Sequence, residues 1–140
     1  MKNRILNLSL VLVFLTVFVS CSKDDSPEII ASVNNTSMSA GNFNGDVTGN
    51  GGSTTEILTW TNSQATADYN MDITASSAGT FRFVMQDADG TTVLDRTLDG
   101  SVEPDSFSGV TEAGTAGEWT VTLTLTNFNG DGSYSASSGN

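Results

Sequence analysis

The chain of 140 residues contains no histidine and a single cysteine, Cys21. The absence of histidine removes the usual general base near neutral pH and a common zinc ligand. No second thiol is present for a disulfide, so core packing and strand pairing must stabilise the fold. The sequence therefore predicts a protein that is not an enzyme, with no catalytic residue, no metal centre and no cofactor.

Basic residues are also scarce, with five Lys and Arg against sixteen Asp and Glu and a formal net charge of −11. Binding to nucleic acid depends on clustered Lys and Arg that displace counterions from phosphates. We therefore expect no nucleic-acid partner. The excess of negative charge favours solubility at a crowded surface.

One long run, over residues 5–19, is apolar apart from Asn7, Ser9 and Thr16, and Lys2 and Arg4 precede it. A basic start followed by such a run is typical of a secretory signal. The run is shorter than the roughly 18 to 20 apolar residues that a transmembrane helix needs. The pattern predicts that residues 1–20 are a signal peptide that is removed.

Cys21 closes this run in the segment Phe18-Val19-Ser20-Cys21. The segment resembles the lipobox of bacterial lipoproteins, with phenylalanine where the family most often has leucine. The resemblance implies that the Cys21 thiol receives a diacylglycerol, that the signal is cut before it, and that the new N-terminus is acylated. Because each buried methylene contributes about 0.8 kcal/mol and one acyl chain alone binds marginally, several chains on one residue form a firm membrane anchor.

The next four residues are Ser22, Lys23, Asp24 and Asp25. They resemble the short acidic export signal of Bacteroidota-type surface lipoproteins, which implies an outer-membrane, lipid-anchored protein exposed at the cell surface. An orientation toward the periplasm is the alternative. Residues 21–28 would then be a lipidated tether that reaches roughly 23 Å. The mature chain keeps three basic and sixteen acidic residues, a formal net charge of −13.

The rest of the chain shows the period-two alternation of half-buried strands and no helical pattern. Apolar residues at 69, 71 and 73, and again at 119, 121, 123 and 125, alternate with polar ones. We expect an all-β domain, an antiparallel β-sandwich of jelly-roll or immunoglobulin-like type, with its core in residues 56–140. Residues 29–55 are rich in Asn, Ser, Thr and Gly, which predicts a loop-rich N-terminal part with short strands near 29–33 and 42–47.

Turn residues predict two tight connections within residues 56–140. Asp89-Gly90 is expected to join strands 80–88 and 91–98 in a two-residue turn, with Met85 opposite Leu94. A three-residue loop is the alternative. Asn129-Gly130 and Asp131-Gly132 predict a second turn before a closing strand at 133–137.

The segment Gly117-Glu118-Trp119-Thr120-Val121 follows a phenylalanine-rich hairpin. In this respect residues 56–137 resemble small secreted β-sandwich modules of the pre-peptidase C-terminal-like group. No binding residue of that group maps onto this chain.

Trp60 is the possible ligand-binding residue, because a flat aromatic ring can stack on a pyranose. Two patterns suggest calcium instead: the pentapeptide Asn-Phe-Asn-Gly-Asp occurs at 42–46 and at 127–131, and Asp87 and Asp89 have the spacing that opens a calcium loop. Both patterns are also explained by turns, in which Asn, Asp and Gly are common without any bound ion.

These features predict a structural or interaction module on the outer membrane, held by the lipid on Cys21. A glycan-binding surface lipoprotein is the main alternative, and a calcium-dependent adhesion module is the third. The expected partner is a glycan or an outer-membrane protein. The oligomeric state is left open.

Replacing the anchor residue tests the lipoprotein hypothesis. We expect Cys21→Ser to abolish metabolic labelling with palmitate and to leave an unprocessed or soluble chain, because no other thiol can accept the lipid. Cells that express the unaltered chain are the control. Persistent labelling of the variant would contradict the hypothesis.

Overall fold

The computed structural model describes residues 27–139. The predicted signal peptide, the lipidation residue Cys21 and the export signal at Ser22, Lys23, Asp24 and Asp25 lie outside the described residues.

The described chain is all-β, as the alternation predicts, and every strand pairing is antiparallel. Over residues 27–139 it contains no helix that is long and apolar enough to cross a membrane. The seven strands are β1 (Ala31–Ser39), β2 (Asn42–Asn62), β3 (Ala67–Ala75), β4 (Thr80–Gln86), β5 (Thr92–Asp99), β6 (Ser106–Val110) and β7 (Gly117–Ser138).

Two of these strands are unusually long, because β2 has 21 residues and β7 has 22. They pair with each other along almost their whole length and form a single two-stranded ribbon. The register shifts between Asn50 and Thr54 on β2, and on β7 Asn127 adopts a positive φ of 47°. These irregularities divide the ribbon into two halves.

Each half of the ribbon is the centre of one sheet layer. The first layer contains β1, residues 42–50 of β2, residues 129–138 of β7, then β3 and β6. The second layer contains residues 54–62 of β2, residues 117–126 of β7, then β4 and β5. The two layers therefore share β2 and β7.

Aromatic side chains from the two layers meet in one core. The ring of Phe83 on β4 lies 6.2 Å from Phe43 on β2 and 6.2 Å from Tyr134 on β7. Face-to-face contact between two antiparallel layers is the arrangement of a β-sandwich, so the predicted fold class is confirmed. The predicted inward residues are all buried, namely Tyr69, Met71, Ile73, Trp119, Val121, Leu123 and Leu125.

The structure differs from the expectation of a loop-rich part over residues 29–55. Strand β1 and the first half of β2 occupy it as an antiparallel hairpin. The alternation was hidden because one inward position, between Phe43 and Val47, is Gly45. A Cβ atom at Gly45 would overlap the Asn34 carbonyl oxygen and the Tyr134 hydroxyl, so glycine leaves room for the Tyr134 ring.

The predicted tight turn at residues 129–132 is wrong, because β7 runs through it without interruption. Gly130 has a φ of +157°, and a Cβ atom there would overlap the carbonyl oxygen of Thr74 on β3. Glycine is thus needed at this position for a close approach between strands.

The β4–β5 hairpin has the predicted register, with Met85 opposite Leu94. Across this hairpin Arg82 donates to Asp95, with Nη2 to Oδ2 at 2.6 Å. The two-residue turn is wrong at the tip, because the register shifts between Met85 and Gln86 and residues 87–91 form a longer loop.

The tight site at Gly45 yields a stability prediction. We expect Gly45→Ala to lower the free energy of unfolding by about 1 to 3 kcal/mol, because the added methyl group overpacks a site closed by backbone. Chemical denaturation monitored by circular dichroism measures the change. In the control Gly109→Ala, the new Cβ atom meets Tyr69 at an ordinary 3.5 Å, so little loss is expected. Equal losses in the two variants would contradict this account.

Candidate functional site

The outer face of the first layer carries three parallel rows of polar side chains. Strand register places Asn44 of β2, Ser135 of β7 and Asn70 of β3 side by side. The neighbouring positions repeat the arrangement. The rows are Asn42, Asn44 and Asp46 on β2; Ser133, Ser135 and Ser137 on β7; and Asp68, Asn70 and Asp72 on β3.

The serine side chains of the middle row are shorter than the Asn and Asp side chains on either side, so the face is concave along β7. Adjacent strands lie about 4.8 Å apart, which places the outer rows about 9.6 Å from each other. A depression of about 300 Å³ lies between Asn44, Asn70 and Ser135. A second one, of about 260 Å³, lies farther along the two strands, beside Asp46 and Ser133. We call this surface the serine groove.

The chemistry of the serine groove is that of a hydrogen-bonding surface with negative charge. Its asparagine side-chain amides and its serine hydroxyls both donate and accept hydrogen bonds, and its carboxylates accept them. Asp46, Asp68 and Asp72 supply the charge, and its rows contain no Lys or Arg. Such a surface suits ligands rich in hydroxyl or amide groups and disfavours anions.

The aromatic core holds the groove in place from beneath. Because successive strand residues point to opposite faces, the residues between the groove residues point inward. Phe43, Tyr69 and Tyr134 are among them, and all three are buried. Burial raises the pKa of the Tyr134 hydroxyl to about 12, and this hydroxyl donates to the side-chain oxygen of Asn35.

Trp60 does not lie in this groove. It is 1 % exposed, and its ring packs edge-on against Phe43 and Trp119 at 5.1 and 5.9 Å. A buried ring cannot stack on a sugar, so the prediction that Trp60 binds ligand is corrected: Trp60 is a core residue. Its Nε1 atom is buried without a hydrogen-bond partner among the described residues.

Within the β4–β5 loop, the carboxylates of Asp87 and Asp89 accept hydrogen bonds from neighbouring groups, and that of Asp89 accepts from the Thr115 hydroxyl at 2.7 Å. Asp87 Oδ1 accepts from the backbone N–H groups of Asp89 and Thr91, at 3.0 and 2.8 Å, and Oδ2 accepts from that of Thr115 at 2.8 Å. These bonds, chiefly the one from Thr115, lower the pKa of Asp87. The carboxylate therefore fixes the loop and ties it to residue 115.

The repeated pentapeptides lie in strands and not in loops. Both phenylalanines, Phe43 and Phe128, are buried in the core. Asp46 pairs with Ser133, while Asp131 pairs with Thr48, so the two carboxylates are two register positions apart. Across residues 27–139, no group of three or more Asp, Glu, Cys or His side chains is placed to hold a metal ion.

Another depression, of about 260 Å³ and away from the serine groove, lies between β5 and β6 and contains Arg96. Arg96 Nε donates to the Tyr69 hydroxyl at 3.4 Å, and the guanidinium lies 5.7 Å from the centre of the Phe107 ring. The hydrogen bond with Tyr69 raises the pKa of Arg96. Arg96 thus links the two layers at their edge, which explains a charged residue opposite Phe83 in the hairpin.

Comparison with known proteins adds no family to these observations. No protein-family model matches the chain, and no curated protein matches it.

The Asp87 hydrogen bonds predict a stability that depends on pH. Because folding lowers the pKa of Asp87 below its unfolded value of about 3.9, its contribution is complete above that value and is lost as the pH falls through the folded pKa. We expect Asp87→Asn to lower the melting temperature at pH 7, since an amide nitrogen then faces a backbone N–H group. The difference from the unaltered chain should shrink toward about pH 2.

Thermal unfolding followed by circular dichroism at each pH makes the comparison. Glu118→Gln, which neutralises an exposed carboxylate on β7, is the matched control and should have little effect. A destabilisation by Asp87→Asn that is the same at every pH would contradict the role of the charged form.

Proposed function

We propose that this chain is a small lipid-anchored outer-membrane protein that acts as a surface interaction module, with the serine groove as its contact surface. The groove is the single observation that carries the proposal, because it is a concave face with many exposed hydrogen-bonding groups. The lipobox resemblance at Cys21 and the acidic segment after it support the location.

The point where the chain enters the domain supports display of the groove. The Ile30 N–H group donates to Asn50 Oδ1 at 2.7 Å, and Asn50 Nδ2 donates to the Glu28 carbonyl at 2.8 Å. The entering chain is thereby fixed beside the middle of the β2–β7 ribbon. From Asn50 the groove strands extend about 27 Å to Asn42, at 3.4 Å per residue. The far end of the groove is therefore well separated from the tether.

The groove also favours a specific ligand class, a neutral glycan. Sugar hydroxyls pair well with the amide, hydroxyl and carboxylate groups that line it. Its carboxylates disfavour sulfated or uronic sugars. In this form of the glycan hypothesis the polar rows of the groove contact the sugar, and Trp60 does not.

A glycan array tests the groove directly. We expect the purified lipidated chain to bind neutral glycans, and the double variant Asn44→Ala/Asn70→Ala to bind them at least tenfold more weakly. Loss of two hydrogen bonds of about 1 kcal/mol each is sufficient for that change. The control Thr120→Ala/Thr122→Ala removes polar groups from the outer face of the second layer and should leave binding unchanged.

Protease treatment of intact cells tests the location separately. Digestion of the chain without lysis is expected for a surface protein. Protection of the chain from the protease until the outer membrane is opened would contradict surface display. In the glycan-array experiment, equal glycan binding by the two double variants would contradict the role of the groove.

A further inference from the structure

The second layer ends on one side in an open strand edge. Residues 54–62 of β2 pair with β7, but β1 pairs only with β2 residues 42–49. Within the described chain no strand lies on the other side of residues 54–62. We call this stretch the β2 edge.

Hydrogen bonding shows which backbone groups face the open side. The Gly41 N–H group donates to the Thr61 carbonyl at 3.0 Å, so this carbonyl points away from β7. Because backbone groups alternate in direction along a strand, the N–H and C=O groups of Thr55, Ile57 and Thr59 also point to the open side. Each copy therefore offers six aligned backbone groups.

The other strand edges carry features that hinder pairing. Strand β5 carries Asp95, Arg96 and Asp99, β6 has only five residues, and β1 has a register shift between Asn35 and Ser37. Charges, short strands and bulges all protect edges from pairing with other chains.

The β2 edge lacks this protection. Its sequence, Thr-Thr-Glu-Ile-Leu-Thr-Trp-Thr-Asn, has no proline and no basic residue. Glu56 is its only charged residue, and the Ile57 side chain is 66 % exposed. An exposed apolar residue in the middle of an open edge is a feature of strands that pair with another chain.

We propose that the β2 edge pairs antiparallel with the β2 edge of a second copy and forms a twofold dimer. In the register centred on Ile57, Thr55 lies opposite the second copy's Thr59, and Ile57 lies opposite its own equivalent. This register uses all six free groups of each copy. Centring on Leu58 would instead set Thr55 against Thr61, whose carbonyl already accepts from Gly41.

Charge and side-chain shape agree with the same register. Glu56 lies opposite Leu58 and not opposite a second Glu56, so no like charges face each other. The outward pairs consist of β-branched residues, which pack well across strands. Because the dimer uses the unprotected edge of both copies, association stops at two. It requires neither the serine groove nor its ligand.

Disulfide cross-linking tests the register in the full-length chain. Directly opposed residues in a hydrogen-bonded antiparallel pair have Cα atoms about 5.5 Å apart, within the range that a disulfide spans. We expect Ile57→Cys to give a cross-linked dimer on mild oxidation. Thr97→Cys on the β5 edge and Thr122→Cys inside the second layer should not cross-link, and the unaltered chain controls for Cys21.

A proline variant tests whether backbone pairing is responsible. Thr59→Pro removes an N–H group that faces the open side and leaves the ladder with β7 intact. We expect it to convert the dimer to a monomer in detergent solution, as measured by analytical ultracentrifugation, while the circular dichroism spectrum stays that of the folded Thr59→Val variant. Should Thr59→Pro unfold the domain, Ile57→Lys serves instead, since it places two like charges at the twofold axis.

Three results would overturn the proposal. The first is an unaltered chain that is folded but stays monomeric at all concentrations. The second is cross-linking of Thr97→Cys that equals that of Ile57→Cys. The third is the formation of assemblies with more than two copies. An unaltered chain that dimerises but binds no glycan would contradict the proposed role of the groove and leave the dimer standing.

Discussion

Pairing between β2 and β7 is the interaction on which the rest of the structure depends. These two strands lie side by side through both layers, and β1, β3 and β4 pair directly with one half of their ribbon. Strands β5 and β6 are joined to it through β4 and β3. The inner faces of the two halves lie toward each other, since Phe43 and Trp60, from the two halves of β2, pack at 5.1 Å. Aromatic rings from both layers then fill the space between them without any disulfide. The sandwich is thus one folded ribbon with strands added to its sides.

The same ribbon produces two different surfaces. In the first layer it is flanked by β1 and β3, so the short serines of β7 lie between longer side chains and the serine groove forms. In the second layer only β7 has a strand on its far side, so the β2 edge stays open. The groove presents side chains to a ligand, whereas the edge presents backbone groups to a strand. A lipid anchor at Cys21 would hold both surfaces near the membrane.

Local patterns predicted the fold class and much of the core, but not the site. Alternation identified the inward faces of β3 and β7, and turn residues identified the β4–β5 register. Glycines were misread, because Gly45 and Gly130 serve close packing between strands and the sequence cannot distinguish this from a turn. The three polar rows are visible in the sequence as Asn-x-Asn-x-Asp, Asp-x-Asn-x-Asp and Ser-x-Ser-x-Ser. That β2, β7 and β3 are neighbours depends on long-range pairing, which no local pattern encodes.

Native-state hydrogen exchange measured by NMR tests the central claim, that one ribbon holds both layers as a single cooperative unit. Val121 and Tyr134 are central β7 residues in the second and first layers, respectively. If the ribbon couples the layers, both backbone amides exchange only through global unfolding and share one free energy of opening. A much faster exchange at one of them would show that its layer opens independently, which would contradict the account.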